Sequence, residues 1–407
     1  MRALTLHWVT GGGLRIKERT KLWWTEGPLG RQGARRRYAT MLVVVAMLAS
    51  LPAVIGALPV SSKSESVATL LARIKASASI PYSGLASSSG QLELPPNLGV
   101  GQDTNALLLG TNRLRTWWIS PSSFRVDRVT PVSESDEYRD GSGLWTYDSG
   151  SAVAQFTRSA PQFPLPGTED ALPPNLARRL LAEAPVGELK SAGARRVTGR
   201  TALGLVWTPT DKRSTIGRVT VWADEKTGLP LVAEARAVGG QSRAYSSSFL
   251  EFSTKVPTKA QVTFRPSSDQ SAGIENTAPG PVDNNAPNFI LPATLGGLKQ
   301  RSPLKPLVAT YGDGVSIVAV FDAGDPQTAR QIREQIDSAS RPPISGAFGR
   351  GSLITTPLLT GLVFATRDSG YILIGTVNQA ELEAMALELR NNPPKRAGAN
   401  IVKGGNG

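Results

Sequence analysis

The sequence predicts an α+β protein dominated by antiparallel sheet and preceded by one apolar segment of membrane length. Three observations predict this. Residues 38–62 run for twenty-five positions without a charge, directly after the basic run RQGARRR. From about residue 81 to 265, aromatic, Val, Thr and Ser residues alternate with period two between frequent Gly and Pro, the pattern of strands with one apolar and one wet face. Near 64–79, after Pro326 and after Asn378, apolar residues recur instead at helical spacing.

Composition narrows the function. The 407 residues are 40 % hydrophobic, enough for sizeable cores in two or three domains. The net charge of +13 is uneven, because residues 1–38 hold nine Lys/Arg against Glu18 and Glu26. A basic segment beside a membrane follows from topology and anionic headgroups, so no nucleic-acid partner is expected. The absence of cysteine rules out disulfides, thiol catalysis and a cysteine-linked lipid anchor. His7 is the single histidine and lies in the basic head. No Ser-His-Asp triad and no His-ligated zinc can therefore be assembled in the body. No catalytic residue, metal or cofactor is expected, and the protein is not expected to be an enzyme.

The elements follow in order. Residues 1–38 lack apolar periodicity and are expected to be a disordered cytoplasmic head. Residues 39–62, MLVVVAMLASLPAVIGALPV at their centre, supply the roughly 20 apolar residues that a bilayer needs, although Pro52 and Gly56 interrupt them. With Arg31, Arg35, Arg36 and Arg37 on the amino-terminal side, the positive-inside rule places the body outside the cytoplasm, as a single-pass protein of the cell membrane. A cleaved signal peptide is the alternative, though no clear A-x-A site follows.

Residues 63–265 form the next domain. Ser62 and Glu65 have capping-box spacing, and Val67, Leu70, Leu71 and Ile74 share one face of a helix over 64–79 that Pro81 ends. In SSFRVDRV, Phe124 and Val126 share a strand face; in LWTYD, Trp145 and Tyr147 do so. Leu203, Leu205 and Trp207, then Val219 and Val221, repeat the alternation. The proline-rich stretch 159–176 reads as a long loop leading into a helical segment, Asn175 to Ala184. Residues 266–286 carry almost no large apolar side chain and read as a linker. The domain 287–391 has the strand VSIVAVF at 315–321 and a helix opening at Asp325 and Pro326 with Ala329, Ile332 and Ile336 inward. Strands near 353–366 and 371–377 and a last helix carrying Leu382, Met385, Ala386 and Leu389 complete it. Residues 392–407 are expected to be a disordered tail.

Several motifs suggest chemistry and lose on inspection. SPLK at 302–305 and KTG at 226–228 are fragments of a penicillin-recognising pattern, but they stand in the wrong order and S-D-N is missing. The acidic run ESDEYRDG lacks calcium-loop spacing, since Tyr138 and Tyr147 occupy ligand positions, and reads as a solvated hairpin.

The stretches WWISPSSFRVDRV and RDGSGLWTYDSGSAVAQF, with the later turn Asp224 to Pro230, resemble the LolA-like superfamily. With YSGLASSSG at 82–90 and the two-domain layout, the chain looks most like its MucB/RseB type of sigma-factor regulatory protein. The resemblance implies an antiparallel half-barrel wrapped on a helix over an apolar cavity, followed by a small α+β domain. It also implies a membrane-tethered, non-enzymatic sensor that binds a lipophilic ligand or lipoprotein and modulates an anti-sigma factor. A lipid or lipoprotein carrier of the envelope is the alternative. The candidate cavity residues are Trp117, Phe124, Val126, Trp145, Tyr147, Leu205, Trp207 and Val221. Phe124, Val126, Trp145 and Tyr147, read as one sheet face, stand first among them, and core filling is the competing role for all eight.

Overall fold

The computed structural model describes residues 38–45, 65–95, 102–158, 167–265, 271–273, 288–302, 308–323, 326–338 and 343–397. The chain divides into residues 1–59 and a compact unit over residues 60–407. In the first, residues 38–45 are helical (α1) with exposed side chains. No helix among the described residues is long and apolar enough to cross a membrane. Most of the expected membrane segment, residues 46–62, lies outside the described residues, as do the head 1–37 and most of the linker.

The unit 60–407 has two lobes, each built on one sheet. The first sheet has twelve strands in the order β12-β6-β5-β4-β3-β2-β1-β11-β10-β9-β8-β7. They are β1 Tyr82–Gln91, β2 Leu109–Ser120, β3 Ser123–Val129, β4 Glu134–Asp140, β5 Gly143–Asp148, β6 Val153–Thr157, β7 Leu189–Val197, β8 Arg200–Trp207, β9 Ile216–Asp224, β10 Pro230–Ala237, β11 Tyr245–Ser253 and β12 Ser271–Gly273. All neighbours are antiparallel except β12 on β6. The run ESDEYRDG is thus largely strand β4, paired on both sides, and not a solvated hairpin.

Helix α2, Val67–Ala76, packs against this sheet and buries Leu70, Leu71 and Ile74 with Leu203, Leu205 and Val221. Each such side chain contributes about 1.5–3 kcal/mol. The cap is Ser66, whose Oγ accepts the Thr69 N–H at 3.1 Å, and not the expected Ser62. Glu65 is engaged elsewhere, accepting two hydrogen bonds from Arg73, which also donates to the Glu225 carbonyl at 2.7 Å. The helix is thereby tied to the β9–β10 turn. There Asp224 accepts the Thr227 N–H and hydroxyl and pairs with Arg200 through both oxygens. The KTG motif is this turn. Short helices α3, Gln102–Leu108, and α4, Pro173–Leu180, lie on the same side of the sheet.

The second lobe has eight strands in the order β14-β15-β16-β17-β21-β20-β19-β18. Its centre is β16 Val308–Asp313, β17 Ser316–Asp322, β21 Gly370–Gly375 and β20 Thr360–Ala365, flanked by β14 Thr294–Leu295, β15 Leu298–Ser302, β19 Gly349–Thr355 and β18 Pro343–Gly346. Helix α5, Pro326–Ser338, packs on one face and α6, Gln379–Asn391, on the other. Asn378 caps α6 by accepting the Glu381 N–H at 3.0 Å, and Leu382, Met385, Ala386 and Leu389 are buried. Residues 395–397, expected in a disordered tail, form a strand (β22) paired with β13, Asn288–Ile290.

The lobes meet at residues 211–216. Ser214 forms an antiparallel bridge with Val377, Thr215 donates its N–H to the Thr376 carbonyl at 3.0 Å, and the Asn378 N–H reaches the Arg213 carbonyl at 2.8 Å.

Candidate functional site

Strands β17 and β21 are apolar on both faces, and the two faces have different fates. Val318, Val320 and Leu373 are fully buried toward α6. Ile317, Phe321, Ile372 and Ile374 point the other way and are only half-buried. Helix α5 covers part of that second face with Ala329 and Ile336, packed on Ile354, Val363 and Leu94. The remainder is roofed by the first lobe, through Leu107 and Leu108 of α3, Leu176 and Leu180 of α4, and Ile216, Ala235 and Tyr245 of the large sheet. The two surfaces bound a partly open cavity of about 410 Å³, within the roughly 300–1,000 Å³ usual for ligand sites.

Its chemistry is almost wholly apolar. The charged side chains lining it are Asp170 and Arg179, paired at 3.2 Å. The Tyr245 hydroxyl donates to the Leu107 carbonyl at 3.1 Å, holding α3 against the sheet, and burial pushes its pKa up to about 12. Such a site suits a flexible apolar ligand whose polar end meets the Asp170–Arg179 pair.

The eight sequence-derived candidates lie elsewhere. Phe124 and Val126 are buried in the first lobe with Leu114, Trp118 and Tyr82. Leu205, Trp207 and Val221 are buried against α2, and Trp207 donates its indole N–H to Glu188 at 2.7 Å. Trp145 and Tyr147 do not share a face with Phe124 and Val126. In the observed register Phe124 stands opposite Arg139 and Leu144, whereas Trp145 stands in line with Arg125, Tyr138 and Phe156. Phe264 covers this other face, 5.0 Å from Trp145 and 6.0 Å from Tyr147. Trp117 also lies there, 4.9 Å below the Arg125 guanidinium. Alternation within a strand gives no phase between strands, which is why the one-face reading fails.

Ile317, Ala319, Phe321, Ile372 and Ile374 line the cavity and escaped the sequence reading. The available signal was the near-continuous apolar character of VSIVAVF and YILIGTV, which marks strands covered on both faces.

A wider groove of about 1020 Å³ opens beside Phe124 and Trp118 and is lined also by Arg139, Arg158, Glu169 and Arg178. Burial holds the Arg178 pKa below its usual value, while burial and the nearby Glu137 push the Glu169 carboxyl up to about 9. This groove mixes apolar and charged lining and is more polar than the interlobe cavity.

No family model and no curated protein matches the chain. Among solved structures, it is similar to MucB in the MucA/MucB complex of Pseudomonas aeruginosa, at 18 % identity and TM-score 0.44, covering 79 % of this chain and 97 % of that one. It is also similar to a LolA-superfamily protein of Nitrosomonas europaea, at 12 % identity and TM-score 0.23, covering 49 % of this chain and 99 % of that one. A third is LprF of Mycobacterium bovis, at 11 % identity and TM-score 0.28, covering 49 % and 99 %.

Proposed function

We propose that this chain is a non-enzymatic binding protein that holds a lipophilic ligand between its lobes and passes the occupied state to a regulatory partner. The observation that carries it is the 410 Å³ apolar cavity walled by both sheets. A ligand there touches both lobes at once, so its presence bears directly on how they are held together. The partner is the one the sequence resemblance implies, an anti-sigma factor at the same membrane, with the body outside the cytoplasm. A lipid or lipoprotein carrier would use the same cavity without that partner.

An environment-sensitive acyl probe tests the binding half of this reading. Saturable uptake that is lost on Ala319→Trp supports it, since Ala319 lines the cavity and is 8 % exposed. Uptake unchanged by that substitution sinks it. Co-purification with an anti-sigma protein from membranes separates the regulator from the carrier.

A further inference from the structure

The acidic run ESDEYRDG on β4 meets a further carboxylate on β3, away from the apolar cavity. Strands β3 and β4 place Asp127 directly opposite Asp136, with Glu134 two residues further along β4. Asp127, Glu134 and Asp136 each offer a carboxylate oxygen, and the three oxygens lie within 4.8 Å of one another. Arg125 holds one side of the cluster, from Nε to Asp127 Oδ1 at 2.5 Å and from Nη2 to Asp136 Oδ2 at 3.0 Å. The opposite oxygens, Asp127 Oδ2, Asp136 Oδ1 and Glu134 Oε1, have no hydrogen-bond donor among the described residues.

Asp127 is the strongest indicator. Its side chain is 0 % exposed, and its free oxygen meets the Glu134 carboxylate, an acceptor facing an acceptor. A buried carboxylate oxygen without a donor costs more than about 1–3 kcal/mol unless something positive joins it. Arg115 approaches Glu134 only to 3.8 Å, beyond hydrogen-bond range.

We infer that Asp127, Glu134 and Asp136 bind a hard divalent cation, with Ca²⁺ the ion their chemistry favours. All three donors are carboxylates, which select against the softer transition metals. Ca²⁺ also tolerates an irregular oxygen shell, whereas Mg²⁺ demands a near-ideal octahedron. The Glu134 side chain is 34 % exposed, which sets the cluster near the surface, while its Oε1 is itself buried. The bound ion would clip β3 to β4.

Terbium(III) titration of the full chain tests this, because Tyr147 stands opposite Asp136 and can sensitise bound terbium. The expected result is saturable emission displaced by Ca²⁺ at about 10⁻⁴–10⁻³ M, with Asp127→Asn weakening binding at least about tenfold. Glu134→Gln, at a half-exposed position that folding tolerates, should weaken it in the same way, and Ca²⁺ should raise the unfolding temperature of the wild type only. Non-saturable emission, failure of Ca²⁺ to compete, or both variants titrating like the wild type would overturn the inference and leave a shared proton as the cluster's counter-charge.

Discussion

Thr215 donates its backbone N–H to the Thr376 carbonyl at 3.0 Å and its hydroxyl to the Leu358 carbonyl at 2.5 Å. One residue of the large sheet's approach thus holds the second lobe at two points, beside the cavity that Leu358 and Thr376 line. Thr215→Val keeps the shape and removes the hydroxyl. It should cost about 1 kcal/mol in chemical denaturation and reduce the stability gained on ligand binding.

Trp145 and Tyr147 lie beneath Phe264 on the sheet face turned away from Phe124. Trp145→Ala and Tyr147→Ala should therefore lower thermal stability and leave acyl-probe affinity unchanged. A large loss of affinity in folded protein would restore them as cavity residues.

The sequence shows the periods well and the phases between strands poorly. Leu70, Leu71 and Ile74 on α2 and Leu382, Met385, Ala386 and Leu389 on α6 are buried as helical spacing implies. The eight lining candidates came from the first lobe alone, whereas the cavity needs β17 and β21 of the second lobe brought against α3 and α4. Tyr245, anchoring Leu107 from far along the chain, is such a contact. The cation cluster was hidden for a similar reason, since Asp127 lies outside the acidic run and joins it only through strand register.

Gly228 has φ +74°, and a Cβ built there would lie 2.8 Å from the Arg73 Cβ. Both the conformation and the close approach of α2 require glycine. Gly228→Ala should destabilise the fold by more than about 1 kcal/mol, measured by urea unfolding, with a larger loss for Gly228→Val.

Asp211 gives a pH dependence at the lobe junction. Hydrogen bonds from the Arg213 guanidinium at 2.9–3.2 Å hold its pKa down at about 2, against 3.8 when free. A depressed acid contributes stability that is complete above the free value and is lost as pH falls through the folded one. The unfolding temperature should therefore fall between about pH 4 and pH 2 by more in the wild type than in Asp211→Asn. Both side chains are partly exposed, at 41 % for Arg213 and 30 % for Asp211, so solvent screening keeps the difference small.

Native mass spectrometry of the full chain after exposure to a membrane lipid extract shows whether the interlobe cavity holds a lipid. The wild type should carry a one-to-one lipid adduct that Ala319→Trp abolishes while the folded charge-state distribution stays the same. A wild type that takes up no lipid, or an adduct that survives Ala319→Trp, would contradict it.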